Sequence, residues 1–256
     1  MRIQRLFNTS VTVALVLLLV GRQPSDAPDG CGLVISGIRV SCALPPPMLS
    51  YDCLVSALDP AAVDIQMMWG AIRDFAEAFP DGFVSSNLDN IYLFGKVRCN
   101  DRDILGLIVT LRTIYVSGGW ISSREELGRV LHHEFAHILL ANYPILDTAE
   151  WEAANPPGFA YTGEELPEFG PRDGFPFYSF TISPGEDFAE YSAWAFMFQE
   201  DLCQMAFQYP RVEQKLFLTA SFYDSLGVAF PLRCWYPATL ADGGRFAEYI
   251  ALEGMR

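Results

Sequence analysis

The chain predicts an α+β fold, and three features of its sequence point there: an amphipathic run, a group of β-rich segments after it, and a series of helical segments after those. The first is "AAVDIQMMWGAIRDFAEAF", Ala61–Phe79, with apolar residues at helical spacing and Pro80, Asp81 and Gly82 to stop it. Next come "IYLFGKV" (Ile91–Val97), "ILGLIVTL" (Ile104–Leu111) and "TIYVSG" (Thr113–Gly118), which predict a small mixed sheet. A helix follows, with Ser122 or Ser123 as its cap, Glu125 or Glu126 as the reciprocal partner, and Asn142, Tyr143 and Pro144 at its end. The stretch Asp147–Ser183 is crowded with Gly, Pro and aromatic residues, a length that in a compact domain is functional or partly structured. Helical segments at Pro184–Asp201 and Pro210–Leu226 complete the pattern.

The 256 residues suffice for one good-sized domain, expected over residues 51–256, with little room for a second. Residues 22–50, rich in Pro and Gly, are expected to form an irregular lead-in. Before them, Arg2 and Arg5 precede the apolar stretch Val11–Gly21, so residues 1–21 read as a signal peptide or an N-terminal membrane anchor. A lipidated Cys would stand directly after that stretch, where this chain has Arg22. The expected location is therefore secreted or periplasmic, within the cell envelope. Cys31, Cys42, Cys53, Cys99, Cys203 and Cys234 are an even set, which in an exported chain predicts disulfides without fixing their pairing. A net charge of −14 argues against nucleic acid and anionic membrane surfaces as partners.

Chemistry concentrates in "LHHEFAHILL", residues 131–140. At helical spacing His133 and His137 lie about 40° apart on one face, so both imidazoles can converge on one Zn²⁺. Glu134 projects beside them as a general base for a zinc-bound water, whose pKa the ion brings down to about 7. Leu127, Val130, Leu131, Ile138 and Ala141 form an apolar arc with the two histidines at its edge, where a cleft would lie. His132 falls on the polar side near Glu125 and Arg129 and is expected at the surface.

The chain has 3 histidines, all in this motif, so a third histidine ligand downstream is excluded, as is a serine–histidine triad elsewhere. The third ligand must be a carboxylate or, less favourably, a Cys. "SPGEDFAEYSAWAF", Ser183–Phe196, offers Glu186 and Glu190 one helical turn apart, with Asp187 between them. One carboxylate can bind the ion while the other accepts a hydrogen bond from a ligating histidine. A competing reading makes Glu186 the partner of Ser183 in a capping box, leaving Glu190 or Asp187 as ligand.

The blocks "LHHEFAHILLANYP" and "SFTISPGEDFAEYSAWAF" resemble zinc-binding metallopeptidases of bacterial cell envelopes, and more distantly the catalytic domain of anthrax lethal factor. The resemblance spans roughly Leu107–Gln199. It implies a zincin-like fold with the second acidic motif on the helix after the active-site helix. It also implies Glu186 as zinc ligand, Glu190 as support for a histidine, and a peptide or protein as substrate. Stabilisation of the oxyanion falls by position to Tyr178, with Tyr161 second. The strand "TIYVSG" is expected at the sheet edge, where an extended substrate can pair with it. Two other functions remain compatible with the motif: a non-catalytic envelope protein with a structural zinc, and a zinc hydrolase acting on a non-peptide bond.

Overall fold

The computed structural model describes residues 32–42, 53–59, 61, 63–99 and 102–231. In chain order these form β1 (Gly32–Ile35), β2 (Ile38–Ser41), β3 (Cys53–Val55), α1 (Ile65–Glu77), α2 (Phe83–Asn87), β4 (Asn90–Phe94), β5 (Val97–Cys99), β6 (Arg102–Ile104), β7 (Gly106–Thr110) and β8 (Thr113–Ser117). The helical half follows as α3 (Arg124–Asn142), α4 (Thr148–Ala153), two 3₁₀ turns (Pro171–Asp173 and Tyr178–Thr181), α5 (Pro184–Met197), α6 (Gln199–Gln208) and α7 (Pro210–Ser225). The arrangement is α+β, with helices gathered against small sheets.

The larger sheet has the order β1-β2-β4-β8-β7 and is mixed: β2, β4 and β8 run parallel, while β1 and β7 are antiparallel to their neighbours. β8 is buried along its whole length between β4 and β7. The edge strand on that side is therefore β7, not the "TIYVSG" strand. A continuously buried apolar strand belongs in a sheet interior, and five consecutive buried positions were a sign of it.

Residues 32–41, expected to be irregular, form a hairpin that continues this sheet, so a domain start at residue 51 cuts through the folded unit. Ser36 and Gly37 both take positive φ (49° and 85°), as a two-residue hairpin turn requires. Ile38 and Val40 alternate into the core behind it. Residues 1–31, with the predicted export segment, lie outside the described residues.

The expected strand Ile91–Val97 is divided at Gly95, where β4 of the large sheet gives way to β5 of a second sheet, β3-β5-β6. A Cβ on Gly95 would stand 2.3 Å from the Ala57 carbonyl oxygen, so the two backbones meet there only because the side chain is missing. The expected segment Ile104–Leu111 is likewise shared between β6 and β7. The predicted helix Pro184–Asp201 ends at Met197, because Phe198 leaves helical geometry (φ −129°, ψ 45°) before α6 begins. Cys42, Cys99 and Cys203 are disulfide-bonded.

Helix α3 lies at the centre, packed on α5 and α1 and against β7 and β8. Its start is the Ser123 cap, whose hydroxyl accepts from the Glu126 amide at 3.0 Å while the Glu126 carboxylate accepts from the Ser122 amide at 2.8 Å. Leu127, Leu131, Phe135, Ile138 and Leu139 are completely buried. That burial leaves the helix no freedom to rotate, and so fixes the directions of its polar residues.

Candidate metal centre

His133 and His137 project from successive turns of α3 toward the first turn of α5, which delivers Glu186. The Ser183 hydroxyl caps α5 by accepting from the Glu186 amide at 3.1 Å, and Pro184 opens the helix. The Glu186 carboxylate takes no part in capping. Its oxygens face the two histidines, 3.2 Å from His133 Nε2 and 3.4 Å from His137 Nε2, and the two Nε2 atoms are 3.1 Å apart.

These spacings decide what the cluster fits. Zinc takes imidazole nitrogen and carboxylate oxygen at about 2.0–2.2 Å in a tetrahedral shell, which separates neighbouring ligand atoms by roughly 3.3 Å. The three observed separations bracket that value, the two to Glu186 running to different oxygens of its carboxylate. Two imidazoles and one carboxylate are also a borderline-soft donor set suited to zinc. The residues present fit a zinc ion, and His133, His137 and Glu186 form a group able to hold one.

Electrostatics agree with a cluster waiting for a cation. Desolvation opposes charge on Glu186, but hydrogen bonding to His133 and His137 outweighs it and holds the carboxyl well below its usual range. Burial also works against a charged His133, yet Glu186 and Glu190 together raise its pKa well above that of a free imidazole.

Glu190 stands behind His133, its Oε1 3.5 Å from Nδ1, within ion-pair range but without a hydrogen bond. Arg129 holds Glu190 with one guanidinium nitrogen 3.1 Å from both carboxylate oxygens. Sequence reasoning placed Arg129 on a polar face without a task. It lies one helical turn before His133, a spacing that puts it on the histidine's side of the helix.

Glu134 is 8% exposed and lies against the edge strand. A Cβ on Gly106 would come within 2.5 Å of Glu134 Oε1 and 2.7 Å of Val130 Cγ1, so the strand and helix approach this closely only at a glycine. Desolvation raises the Glu134 pKa, against the pull of His133 and His137. The group sits beside the three-residue cluster, buried and free to take a proton.

Other expectations fare differently. His132 is not at the surface: it is 3% exposed, its ring stacked on Phe196 and set edge-on to Phe75, because α1 and the end of α5 cover that side of α3. Burial pushes its pKa down to about 3, so it is neutral. Asp187 does not reach the cluster; its carboxylate is wholly buried and paired with Lys215 Nζ at 2.6 Å. The Tyr161 hydroxyl donates to the same Asp187 oxygen and is engaged there, among Phe159 and Phe175, not at the cluster. Tyr178 begins the second 3₁₀ turn, and its side chain lies outside the described residues. Lys215, one of the chain's two lysines, had no role assigned from the sequence, although it falls among the buried positions Val212, Leu216 and Thr219 of α7, where an unpaired lysine is almost never found.

No protein family and no curated protein matches the sequence. The fold is similar to that of a crystal structure from Bacteroides caccae whose protein is called a "putative zinc-binding metallo-peptidase". The superposition has a TM-score of 0.51, with 18% identity, over 73% of this chain and 78% of the other. At that identity the likeness speaks for a shared fold.

Proposed function

We propose that this protein is a zinc-dependent peptidase of zincin-like fold, exported to the cell envelope or beyond. The observation that carries the reading is the cluster of His133 Nε2 and His137 Nε2, 3.1 Å apart, with one Glu186 carboxylate oxygen 3.2 Å from the first and the other 3.4 Å from the second, set next to a buried glutamate. His133, His137 and Glu186 hold the ion. When bound, zinc supplies Lewis acidity, which acidifies water and polarises a carbonyl oxygen.

The chain's own groups do the rest. Glu134 accepts a proton at its carboxylate and later returns it to the departing amine; a desolvated carboxyl with a raised pKa suits both tasks. Glu190, held by Arg129, orients the His133 ring. Among the described residues the outer edge of β7 is unpaired; it runs past Glu134 at Gly106 and offers an extended peptide a strand to pair with. Tyr178 remains the proposed donor to the oxyanion. The disulfide-bonded Cys42, Cys99 and Cys203 support an oxidising location outside the cytosol. Among the described residues no helix is long and apolar enough to cross a membrane.

A structural zinc site would be closed by a fourth protein ligand. Here the Glu186 side chain is 36% exposed, so the cluster opens to solvent on its side, and that favours a catalytic site. The test is metal content and hydrolysis in parallel. Wild-type protein should carry about one zinc per chain and cleave an unstructured protein such as casein. Glu134→Gln should keep the metal and lose cleavage by about 100-fold or more. Zinc-free wild type, or a Glu134→Gln protein as active as wild type, overturns the reading.

A further inference from the structure

Directly after Glu186 comes a buried charge with no place in the proposed reaction. Asp187 and Lys215 are both 0% exposed, with Nζ and Oδ2 2.6 Å apart. The same oxygen accepts from Trp151 Nε1 at 3.0 Å and from the Tyr161 hydroxyl. Lys215 Nζ also sits 3.8 Å from the centre of the Phe175 ring. Helix α4, the connection between α4 and α5, and α7 therefore all converge on one carboxylate in the first turn of α5.

Such a pair is a poor stabiliser. Desolvating two charges costs several kcal/mol each, and an apolar pair of similar volume often does as well or better. Asp187 Oδ1 finds no partner, which adds to that cost. What the pair supplies is direction. A carboxylate gripped by donors from three segments cannot rotate, and α5 cannot turn about its axis while Asp187 is held.

We propose that the Asp187–Lys215 pair, with Trp151 and Tyr161, is a positioning device for the metal centre that aims Glu186 at His133 and His137. The proposal rests on the zinc reading above. Among the described residues the Glu186 carboxylate reaches only the two histidines, so its aim comes from the helix that carries it. Side-chain tips lie about 5–6 Å from a helix axis. A rotation of α5 by about 5° then displaces the carboxylate by roughly 0.5 Å, beyond the ±0.2 Å or so within which metal–ligand distances hold. Each partner of Asp187 comes from a different part of the chain, so the ligand is registered against the whole helical half. Neither Asp187 nor Lys215 touches the ion.

The experiment replaces the pair by apolar residues of similar size, Asp187→Leu with Lys215→Met, in the full chain. Metal-free protein is melted, zinc affinity is measured by competition with a chromophoric chelator, and the visible absorption of the Co²⁺ form is recorded. The expected result is a protein that still melts cooperatively, at a temperature lowered by the loss of the acceptor for Trp151 Nε1 and the Tyr161 hydroxyl, with zinc binding weakened about 10-fold or more and an altered Co²⁺ spectrum. Wild-type affinity with an unchanged spectrum overturns the proposal and leaves the zinc reading intact. Wild-type protein that binds no zinc removes the zinc reading itself, and this proposal with it. Should the double variant not fold, Tyr161→Phe removes one tether and keeps its ring, and Trp151→Phe removes another and leaves a smaller aromatic ring in its place. Both should weaken zinc binding, and undiminished affinity in the two of them counts equally against the device.

Discussion

Glu186 and Glu190 are one turn apart and chemically identical, yet their surroundings divide their tasks. Glu186 has two imidazole nitrogens as neighbours and solvent on its other side, whereas Glu190 is held by Arg129 and meets only the far edge of His133. Glu186→Ala removes a metal bond and a charge, and should abolish zinc binding at micromolar metal. Glu190→Ala should retain zinc with affinity or activity lowered about 10–100-fold, the usual effect of losing a group that orients a ligand. Chelator competition on the two variants separates them; retention by the first and loss by the second would reverse the roles. His132, one residue from a proposed ligand, gives a contrasting forecast. Its pKa is about 3 in the fold, against 6.5 for the free side chain. Below pH 6.5 or so the unfolded chain takes up a proton that the folded chain refuses. Its contribution to stability is whole above that pH and drains away as pH falls toward 3, by up to about 1.4 kcal/mol per pH unit. His132→Phe, which suits the aromatic surroundings, should show a shallower loss of stability between pH 7 and pH 4 in urea unfolding. Equal slopes in both proteins would refute the assignment.

At the level of elements, the decisive meeting is between α3 and the edge strand β7. Gly106 lets the strand backbone pass so close to Glu134 that a methyl group would overlap both Glu134 and Val130. Gly106→Ala should therefore displace the Glu134 carboxylate while leaving His133, His137 and Glu186 in place. The expected outcome is unchanged zinc content with turnover reduced up to about 100-fold, as a misplacement of about 1 Å can do. Full activity in that variant would show that Glu134 adapts and that the glycine serves only packing. This contact was illegible in the sequence, because it joins residues from two elements and needs their relative placement. The H-E-x-x-H helix, by contrast, was legible: its cap, its end and the side on which His133 and His137 lie together all follow from local chemistry and the helical period. Local rules also reached α1 and α7, and they put Glu186 on the helix that faces the motif. They failed where tertiary cover decides. His132 looks polar by spacing but is roofed by α1 and Phe196, and "TIYVSG" reads as any strand until β7 closes over its side. The 32–41 hairpin was missed for a different reason: its two-residue turn and alternating apolar residues were present but hidden in a Pro- and Gly-rich neighbourhood.

Across the whole molecule, the proposed ion would add a bond between α3 and α5, two helices already packed on each other at the centre of the fold. α3 also lies against the sheet and α1, and α5 against α4, α6 and α7, so a link between the two ties into both sides of the core. Zinc binding should therefore appear as global stability as well as a local bond. A ligand that binds only the folded state adds RT ln(1 + [L]/Kd), about 4 kcal/mol when free metal is 1,000 times Kd. For a domain of this size each kcal/mol corresponds to about 2–4 °C, so metal-free protein should melt roughly 8–16 °C below the zinc-loaded form. His137→Ala, lacking one ligand, should melt at the same temperature with and without zinc. The disulfides must stay oxidised in both arms, since their reduction would lower both melting points and mask the difference. Glu186 and Glu190 raise the His133 pKa well above its free value, so the metal-free fold loses proton-linked stability as pH rises above about 6.5, while zinc competes with fewer protons, and the gap between the two forms should widen from pH 6 to pH 8. Calorimetry across that range measures both effects in one protein, and a melting temperature indifferent to zinc at every pH would refute a metal held between α3 and α5.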